Sequence, residues 1–211
     1  MAIYDTREEA ARLLAGAVAA EKPDNPVVLA LPRGGVPLGK IVADELGAPL
    51  DLVFVRKIGM PGHRELAAGA LVDGANPQTV WNTGLLAQAR LSEDDFQQEI
   101  DGLLDQIAGR RNRYLAGRDP ETVSGRTAIV VDDGVATGAT IRVAIQALRK
   151  AGAGAVWVAV PVAPRDTIPM LESEADRVIC LETPDPFIAV GAHYRNFGEV
   201  TDDDVVRLLN R

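Results

Sequence analysis

Ala128-Ile129-Val130-Val131-Asp132-Asp133-Gly134-Val135-Ala136-Thr137-Gly138-Ala139-Thr140 runs from an apolar segment through two acids into a Gly/Thr loop. Four apolar residues read as a buried strand with two carboxylates at its carboxyl edge. A Gly/Thr loop follows, and Ile141, Ala144, Ile145 and Leu148 then recur at helical spacing. In an open α/β sheet, ligands sit outside the carboxyl ends of strands, where a helix amino terminus presents free N–H groups to an anion. Gly138 allows close backbone approach, and Thr137 and Thr140 add hydroxyls, which predicts a pocket for a phosphate monoester. Asp132 and Asp133 would repel that phosphate in direct contact. They make sense beside it, gripping neutral hydroxyls or a divalent cation. A ligand with a phosphate at one end and a diol next to it is a sugar phosphate, most naturally ribose 5-phosphate.

Two rival nucleotide sites fail on the letters. A Walker A loop needs Gly-Lys-Ser/Thr, and no such triplet is present, so the Asp-Asp after an apolar run is not a Walker B strand. A dinucleotide fingerprint needs G-x-G-x-x-G between strand and helix. Gly134 and Gly138 have the wrong spacing, and Gly152-Ala153-Gly154 precedes a strand.

The strand, the two acids and the Thr-Gly-x-Thr loop resemble the phosphoribosyl-diphosphate (PRPP) signature of type I phosphoribosyltransferases. In that family the loop, here Val135, Ala136, Thr137, Gly138, Ala139 and Thr140, holds the 5-phosphate. The acids, here Asp132 and Asp133, hold the ribose 2- and 3-hydroxyls, often with magnesium nearby. Position 136 is Ala, as in adenine-type members; hypoxanthine-type members carry an Asp there that contacts the purine.

Toward the amino terminus, Val27–Leu31 reads as a short buried strand ending in Pro32-Arg33-Gly34-Gly35, followed by a helix from Val36 to Leu46 with Gly47 as its stop. A second strand-to-helix turn with two glycines and an Arg is a second candidate anion nest. It resembles the pyrophosphate loop of xanthine-guanine-type members, which implies that the backbone around Arg33, Gly34 and Gly35 cradles diphosphate, often through a cis peptide. Before it, Thr6–Glu9 has the form of a capping box, and the spacing of Ala10, Leu13, Leu14, Ala17 and Val18 predicts a helix covering the sheet edge.

Leu50–Val55 is the next predicted strand, running into Arg56-Lys57, two cations that suit a polar cleft at a strand end. Ile58–Glu65 has the Gly, Pro and charge content of a mobile loop. Arg-Lys-x-Gly-x-Pro-Gly is similar to the adenine-type segment that leads into a flexible lid. That implies Arg56 and Lys57 near the diphosphate, Arg64 on the lid, and Glu65 as a proton donor or acceptor for the base. Short strands are expected within Leu71–Trp81. Ser92 and the acids after it then cap an amphipathic helix built on Phe96, Ile100, Leu103, Leu104 and Ile107. Its closing arginines, Arg110, Arg111 and Arg113, suit the negative helix end.

Beyond the signature, Ala155–Val160 and Arg177–Leu181 read as strands flanking a helix at Asp166–Ser173, so strands and helices alternate as in a mostly parallel, doubly wound α/β sheet. The segment Thr183–Tyr194 breaks that rhythm. It resembles the Pro-Asp-x-Phe-Val-Val-Gly hood of hypoxanthine-type members, which implies Phe187 facing the acceptor base and Val190 lining its pocket; His193-Tyr194 departs from that pattern. Thr201–Asp204 caps a closing helix.

The 211 residues suit one domain, 1–211, with a core of about 27–72 and 126–182, a helical insertion of about 84–116, and a hood of about 183–211 accompanied by the amino-terminal helix 6–20. A net charge of −8 argues against a nucleic-acid footprint, which needs clustered Lys and Arg. No apolar run approaches the roughly 20 residues that span a bilayer. A single cysteine, Cys180, in an apolar run reads as core filler and fits a reducing cytoplasm. The resemblance covers residues 27–72 and 126–194. It implies Mg2+-dependent transfer of the phosphoribosyl group from PRPP to a nitrogenous base, a purine or related heterocycle, with release of diphosphate by a homodimer. The alternative it allows is a non-catalytic PRPP- or nucleotide-binding regulator of the same fold.

Overall fold

A computed structural model describes residues 2–210; Met1 and Arg211, the two ends of the expected 1–211 domain, lie outside the described residues. In chain order the elements are α1 (Arg7–Ala20), β1 (Pro26–Ala30), α2 (Gly35–Leu46), β2 (Leu50–Leu52), β3 (Val55–Met60), β4 (His63–Val72) and β5 (Gln78–Trp81). There follow α3 (Thr83–Ala89), α4 (Gln97–Leu115), β6 (Thr127–Val131), α5 (Ala139–Lys150), β7 (Ala155–Val162), α6 (Thr167–Glu172), β8 (Arg177–Glu182) and α7 (Asp202–Leu209).

Five strands form one sheet in the order β2-β1-β6-β7-β8, with every neighbouring pair parallel. The chain moves one way from β1 to β2 and the other way from β1 to β6, so the topological switch lies between β1 and β6. Crevices form outside the strand ends at such a point. Alternation along the strands sorts side chains to two faces. Val28, Ile129, Val131 and Ala159 pack under Leu14, Val18, Leu38 and Val42 of α1 and α2. Val27, Leu29, Val130 and Val158 pack under Ile141, Ile145 and Leu148 of α5. Fully burying each such aliphatic side chain contributes about 1.5–3 kcal/mol. α1 lies on a face beside α2 and reaches over β7 and β8, the edge strand, as its amphipathic pattern suggests.

The helix after β1 ends where expected, on Gly47 at φ 59°, and the signature helix ends before Gly152 at φ 86°. The largest departure lies between. The strand expected over Leu50–Val55 stops at Leu52, and β3 begins at Val55 in a separate antiparallel sheet, β3-β4-β5. Ile58–Glu65, expected as a mobile loop, is the tip of a hairpin that turns at Pro61-Gly62 and is bulged around Gly59. Glycine and proline there mark a turn and a bulge, not an absence of structure. The insertion packs on this sheet: Phe54 stacks on Tyr114 of α4 at 6.1 Å, and Trp81 meets Phe96 at 5.3 Å.

The joint between the two sheets is held by Arg111, which does more than complement a helix end. Its guanidinium donates to both oxygens of Asp51 at 2.6 and 2.8 Å, to Asp73 at 2.8 Å and to the Leu52 carbonyl at 2.9 Å, all out of bulk solvent. Cys180 lies on β8, partly buried, and burial pushes its thiol up to about 11, so it stays protonated. Among the described residues, no helix is long and apolar enough to cross a membrane.

Candidate active site

The ends of β1 and β6 are built as one surface. The Leu31 N–H donates to the Val131 carbonyl at 3.0 Å, carrying the pairing past the last residue of β1. A Cβ on Gly35 would strike that same carbonyl, and one on Gly34 would overlap the Asp133 carboxylate. These two positions need glycine because other atoms already occupy the space. The Pro32–Arg33 peptide is cis. On the β6 side, the chain leaves Asp133 through Gly134, which lies under Val162 and Val190, and reaches α5 at Gly138 with φ 76°. The Thr137 hydroxyl accepts from the Ala139 N–H at 3.5 Å, and the side chains of Thr137 and Thr140 are exposed at the helix mouth.

The two acids are unequal. Asp132 is half-buried, and its carboxylate accepts from the Asp133 N–H at 2.9 Å. Burial and then the neighbouring Asp133 charge push its carboxyl well above the usual carboxylate range. Asp133 is also pushed up by burial, but the Arg7 guanidinium opposes the rise, donating from Nε to Oδ2 at 2.8 Å. The Tyr194 hydroxyl donates to the Asp133 carbonyl at 2.6 Å, and burial and that acid push the phenol up, so it remains a donor.

Three clefts adjoin along this rim. One of about 460 Å³ is walled by Arg7, Arg33, Gly34, Asp132, Asp133 and the Phe197–Val200 segment. A smaller one, about 130 Å³, is walled by Asp132 and by Gly134 through Ile141, and so contains the whole Thr-Gly-x-Thr loop. The third, about 530 Å³, shares Ala136 and Thr137 and continues to Asp166, Met170, Phe187 and Ile188. A phosphate-sized nest, an acid pair and a cation therefore lie in sequence, with an apolar shelf on the far side of the loop.

Most of the candidate residues meet here: Asp132, Asp133, Arg33, Gly34 and the loop from Val135 to Thr140 share walls, and Gly35 supports them from behind. The hairpin residues do not. Arg56 donates to the Val55 carbonyl at 3.0 Å and lies 5.9 Å over Phe54; burial and then Arg110 hold its guanidinium below the usual value. Lys57 is exposed and lies 3.6 Å from the fully exposed Glu65. Arg64 faces α4, in a cleft with Gln98, Glu99 and Gln106. None of the four lines the rim, because the chain leaves the parallel sheet at Leu52 before reaching them.

In the tail, Phe187 is half-buried on the shelf, 4.9 Å from the His193 ring. Val190 packs beneath Gly134 and beside Tyr4, Val162 and Tyr194 rather than lining the third cleft. Ile188, 79% exposed, takes the lining position expected of Val190. Arg7, Tyr194 and Phe197 escape sequence reasoning altogether. Arg7 reads only as part of a helix start, and its contact with Asp133 spans 126 residues of chain. The Arg33 guanidinium is ion-paired with Glu199 at 2.6 Å and lies 3.5 Å from Asp202.

The family described as Phosphoribosyl transferase domain matches residues 2–196. Two curated proteins of Mycobacterium tuberculosis are each 42% identical over 211 residues, all of this chain: "Putative phosphoribosyl transferase Rv0571c" of strain ATCC 25618 / H37Rv and its counterpart MT0597 of strain CDC 1551 / Oshkosh. The chain spans about half the length of these relatives, 47% of each. Among solved structures, TT1426 from Thermus thermophilus shares 41% identity with a TM-score of 0.83, over 99% of this chain and 98% of that one.

Proposed function

The chain belongs to the phosphoribosyl transferase domain family, and on that premise we propose that it transfers the 5-phosphoribosyl group from PRPP to a ring nitrogen of a purine or related heterocycle, releasing diphosphate. One observation carries the reading: the Thr137–Thr140 nest and the Arg33-Gly34 turn flank the same pair of acids at the switch point between β1 and β6.

In this reading the 5-phosphate sits in the nest, on the N–H groups at the start of α5 and the hydroxyls of Thr137 and Thr140. Asp132 and Asp133 accept hydrogen bonds from the ribose 2- and 3-hydroxyls. Their negative charge also favours the positive charge that grows on the anomeric carbon as the C1–oxygen bond lengthens. Arg33 and the backbone of Gly34-Gly35 meet the diphosphate, and the ion pair of Arg33 with Glu199 exchanges for the more highly charged ligand. Phe187, with Ile188 and Met170, offers the base an apolar face. Val190 supports the loop from beneath. Arg56, Lys57, Arg64 and Glu65 act on the ligand only when the hairpin folds over the rim, which excludes water from a reactive donor.

The donor set fits magnesium. Among the described residues no group of three or more His, Cys, Asp or Glu could hold a metal by itself. Mg2+ is commonly held by one or two carboxylates together with substrate phosphates and water. Asp132 and Asp133 would supply the carboxylates, and the ion, when bound, neutralises charge on the diphosphate. A homodimeric state and a cytoplasmic location belong to the same proposal, since they come from the family resemblance and the lone cysteine.

The regulatory alternative draws on the hairpin, whose cations stand away from the rim. Calorimetric titration with PRPP and Mg2+, followed by a diphosphate-release assay across a panel of bases, separates the two. Acceptor-dependent release supports the transferase. PRPP binding with no release under any acceptor leaves a sensor, and no PRPP binding removes both.

A further inference from the structure

Arg7 begins α1, and its guanidinium makes three contacts inside the cleft. Nε donates to Asp133 Oδ2 at 2.8 Å, one Nη donates to the Gly198 carbonyl at 2.7 Å, and the group lies 3.7 Å from the centroid of the Phe197 ring. The side chains of Arg7 and Asp133 are each only 13% exposed, so the pair is little screened by water. Asp133 is held from two further sides, by the Tyr194 hydroxyl on its carbonyl and by Gly34 against its carboxylate. Arg7 thus fixes one oxygen of the Asp133 carboxylate and with it the plane of the group. Arg7 is poorly disposed to meet a diphosphate itself, since two donor directions and one face are already in use. Only a planar guanidinium can bond in two directions and stack on a ring at once; a lysine at this position could not.

We propose that Arg7 is a positioning residue for Asp133, and that the Phe197–Gly198 segment, just beyond the family-matched residues 2–196, places Arg7 and so is a working part of the sugar site. The inference rests on the reading of Asp133 as a grip on the sugar hydroxyls. It goes beyond that reading by assigning the grip's alignment to the amino-terminal helix and a carboxyl-terminal segment. The same contacts explain why Phe197, a large apolar residue, stays 38% exposed at a cleft wall: one ring face is covered by a cation.

The test is calorimetry on the full chain, titrating PRPP and ribose 5-phosphate with Mg2+ and inorganic diphosphate without it, so that no ion held by Asp133 couples the diphosphate to the acids. For Arg7→Gln the expected result is binding of both sugar ligands about tenfold weaker, with diphosphate affinity changed less than about twofold, because a charge-assisted hydrogen bond orients only the sugar-facing acid. Phe197→Leu should reproduce that selectivity at about threefold, the scale of a lost cation–π contact. Arg7→Lys, which keeps the charge and protects the fold, should fall between the two. Equal loss of diphosphate and PRPP in Arg7→Gln would make Arg7 a leaving-group cation and overturn the inference. So would unchanged affinity for all three ligands. If the wild-type chain binds no PRPP, the reading of the cleft fails and takes this inference with it, an outcome distinct from wild-type binding that the variants leave unaltered.

Discussion

Asp51 and Asp73, where the two sheets join, lie out of water, while Asp132 and Asp133 at the end of β6 are half-buried beside a cleft, and the two pairs are treated in opposite ways. At the joint, Arg111 reaches both acids, the N–H groups of Leu52 and Glu121 bring Asp51 to four donors, and the Phe54 N–H gives Asp73 a second. At the rim, Asp132 has one backbone donor and Asp133 one guanidinium, and each faces open cleft. A buried carboxylate costs folding free energy until its hydrogen bonds are made. The pair at the joint, tied down by one guanidinium, holds the two sheets together. The unsaturated pair is left short of partners that a ligand with hydroxyls, or a cation, can supply.

Removing both rim acids should break the contrast most plainly. Asp132→Asn with Asp133→Asn is expected to lower PRPP-dependent diphosphate release by at least about a thousandfold, the scale of lost transition-state electrostatics. The thermal midpoint should hold or rise, since two strained charges are gone. Retained turnover in that variant would take the acids out of the mechanism. The converse change is Arg111→Leu, which strands two buried carboxylates and should cost about 3–5 kcal/mol of stability in urea unfolding. A loss under about 1 kcal/mol would show that water enters the joint and that it is not a sealed pair.

The pairs should also differ in how stability answers to pH. Burial pushes Asp132 well above its ordinary 3.8 and raises Asp133 as well, so the folded chain keeps protons that the unfolded chain has released. Where the native state binds more protons, unfolding free energy falls as pH rises. Ligand-free protein should therefore lose stability as pH climbs from 3.8 through the folded values, and Asp132→Asn should remove most of that slope. Asp73 is raised too, by burial against the pull of Arg111, so a residual slope of the same sign should persist in Asp132→Asn. Urea midpoints collected across acid and neutral pH read both. A slope of opposite sign would mean the rim acids are ionised and favourably paired before any ligand arrives.

The smallest effect belongs to an exposed pair that serves as a reference for both. Lys57 and Glu65 lie 3.6 Å apart in open solvent, where ion pairs are screened. Glu65→Gln should leave the unfolding midpoint unchanged and turnover within about threefold, below the range for loss of a general acid or base. A larger fall in turnover at unchanged PRPP affinity would show that the hairpin carries Glu65 to the base.

How much is legible in the sequence follows from how far along the chain each feature reaches. The strand, acids and loop of 128–140 are contiguous, and their chemistry is spelled out by neighbours, so the nest and the acid pair can be read directly. The glycine stops at 47 and 152 are local as well. Arg111 is different: its partners lie 60 and 38 residues away, and a basic residue near a helix end is adequately explained without them. Arg7 is hidden for the same reason. Composition misreads the hairpin, since Gly59, Pro61 and Gly62 look like loop residues when the pairing that orders them is not visible. One signal is present: the apolar run Leu66–Val72 is long for a loop and marks β4. Ile188, and not Val190, lines the cleft because Val190 opens a short 3-10 turn over Val190–His193, and the hood motif does not specify which side chain faces out of that turn.

The side-chain-free approach of Gly34 and Gly35 to the end of β6 turns the rim into a gauge. Parallel neighbours in a sheet stand about 4.8 Å apart, and here the turn after β1 is pressed onto β6 with no intervening atoms to compress or expand. The distance of the Arg33-Gly34 turn from the end of β6 is thus set by backbone contact. Loop substitutions can change what is gripped at either end while leaving that distance alone. In the proposed function, that backbone contact would make the cleft select the length of a doubly anionic sugar before any side chain tested its chemistry.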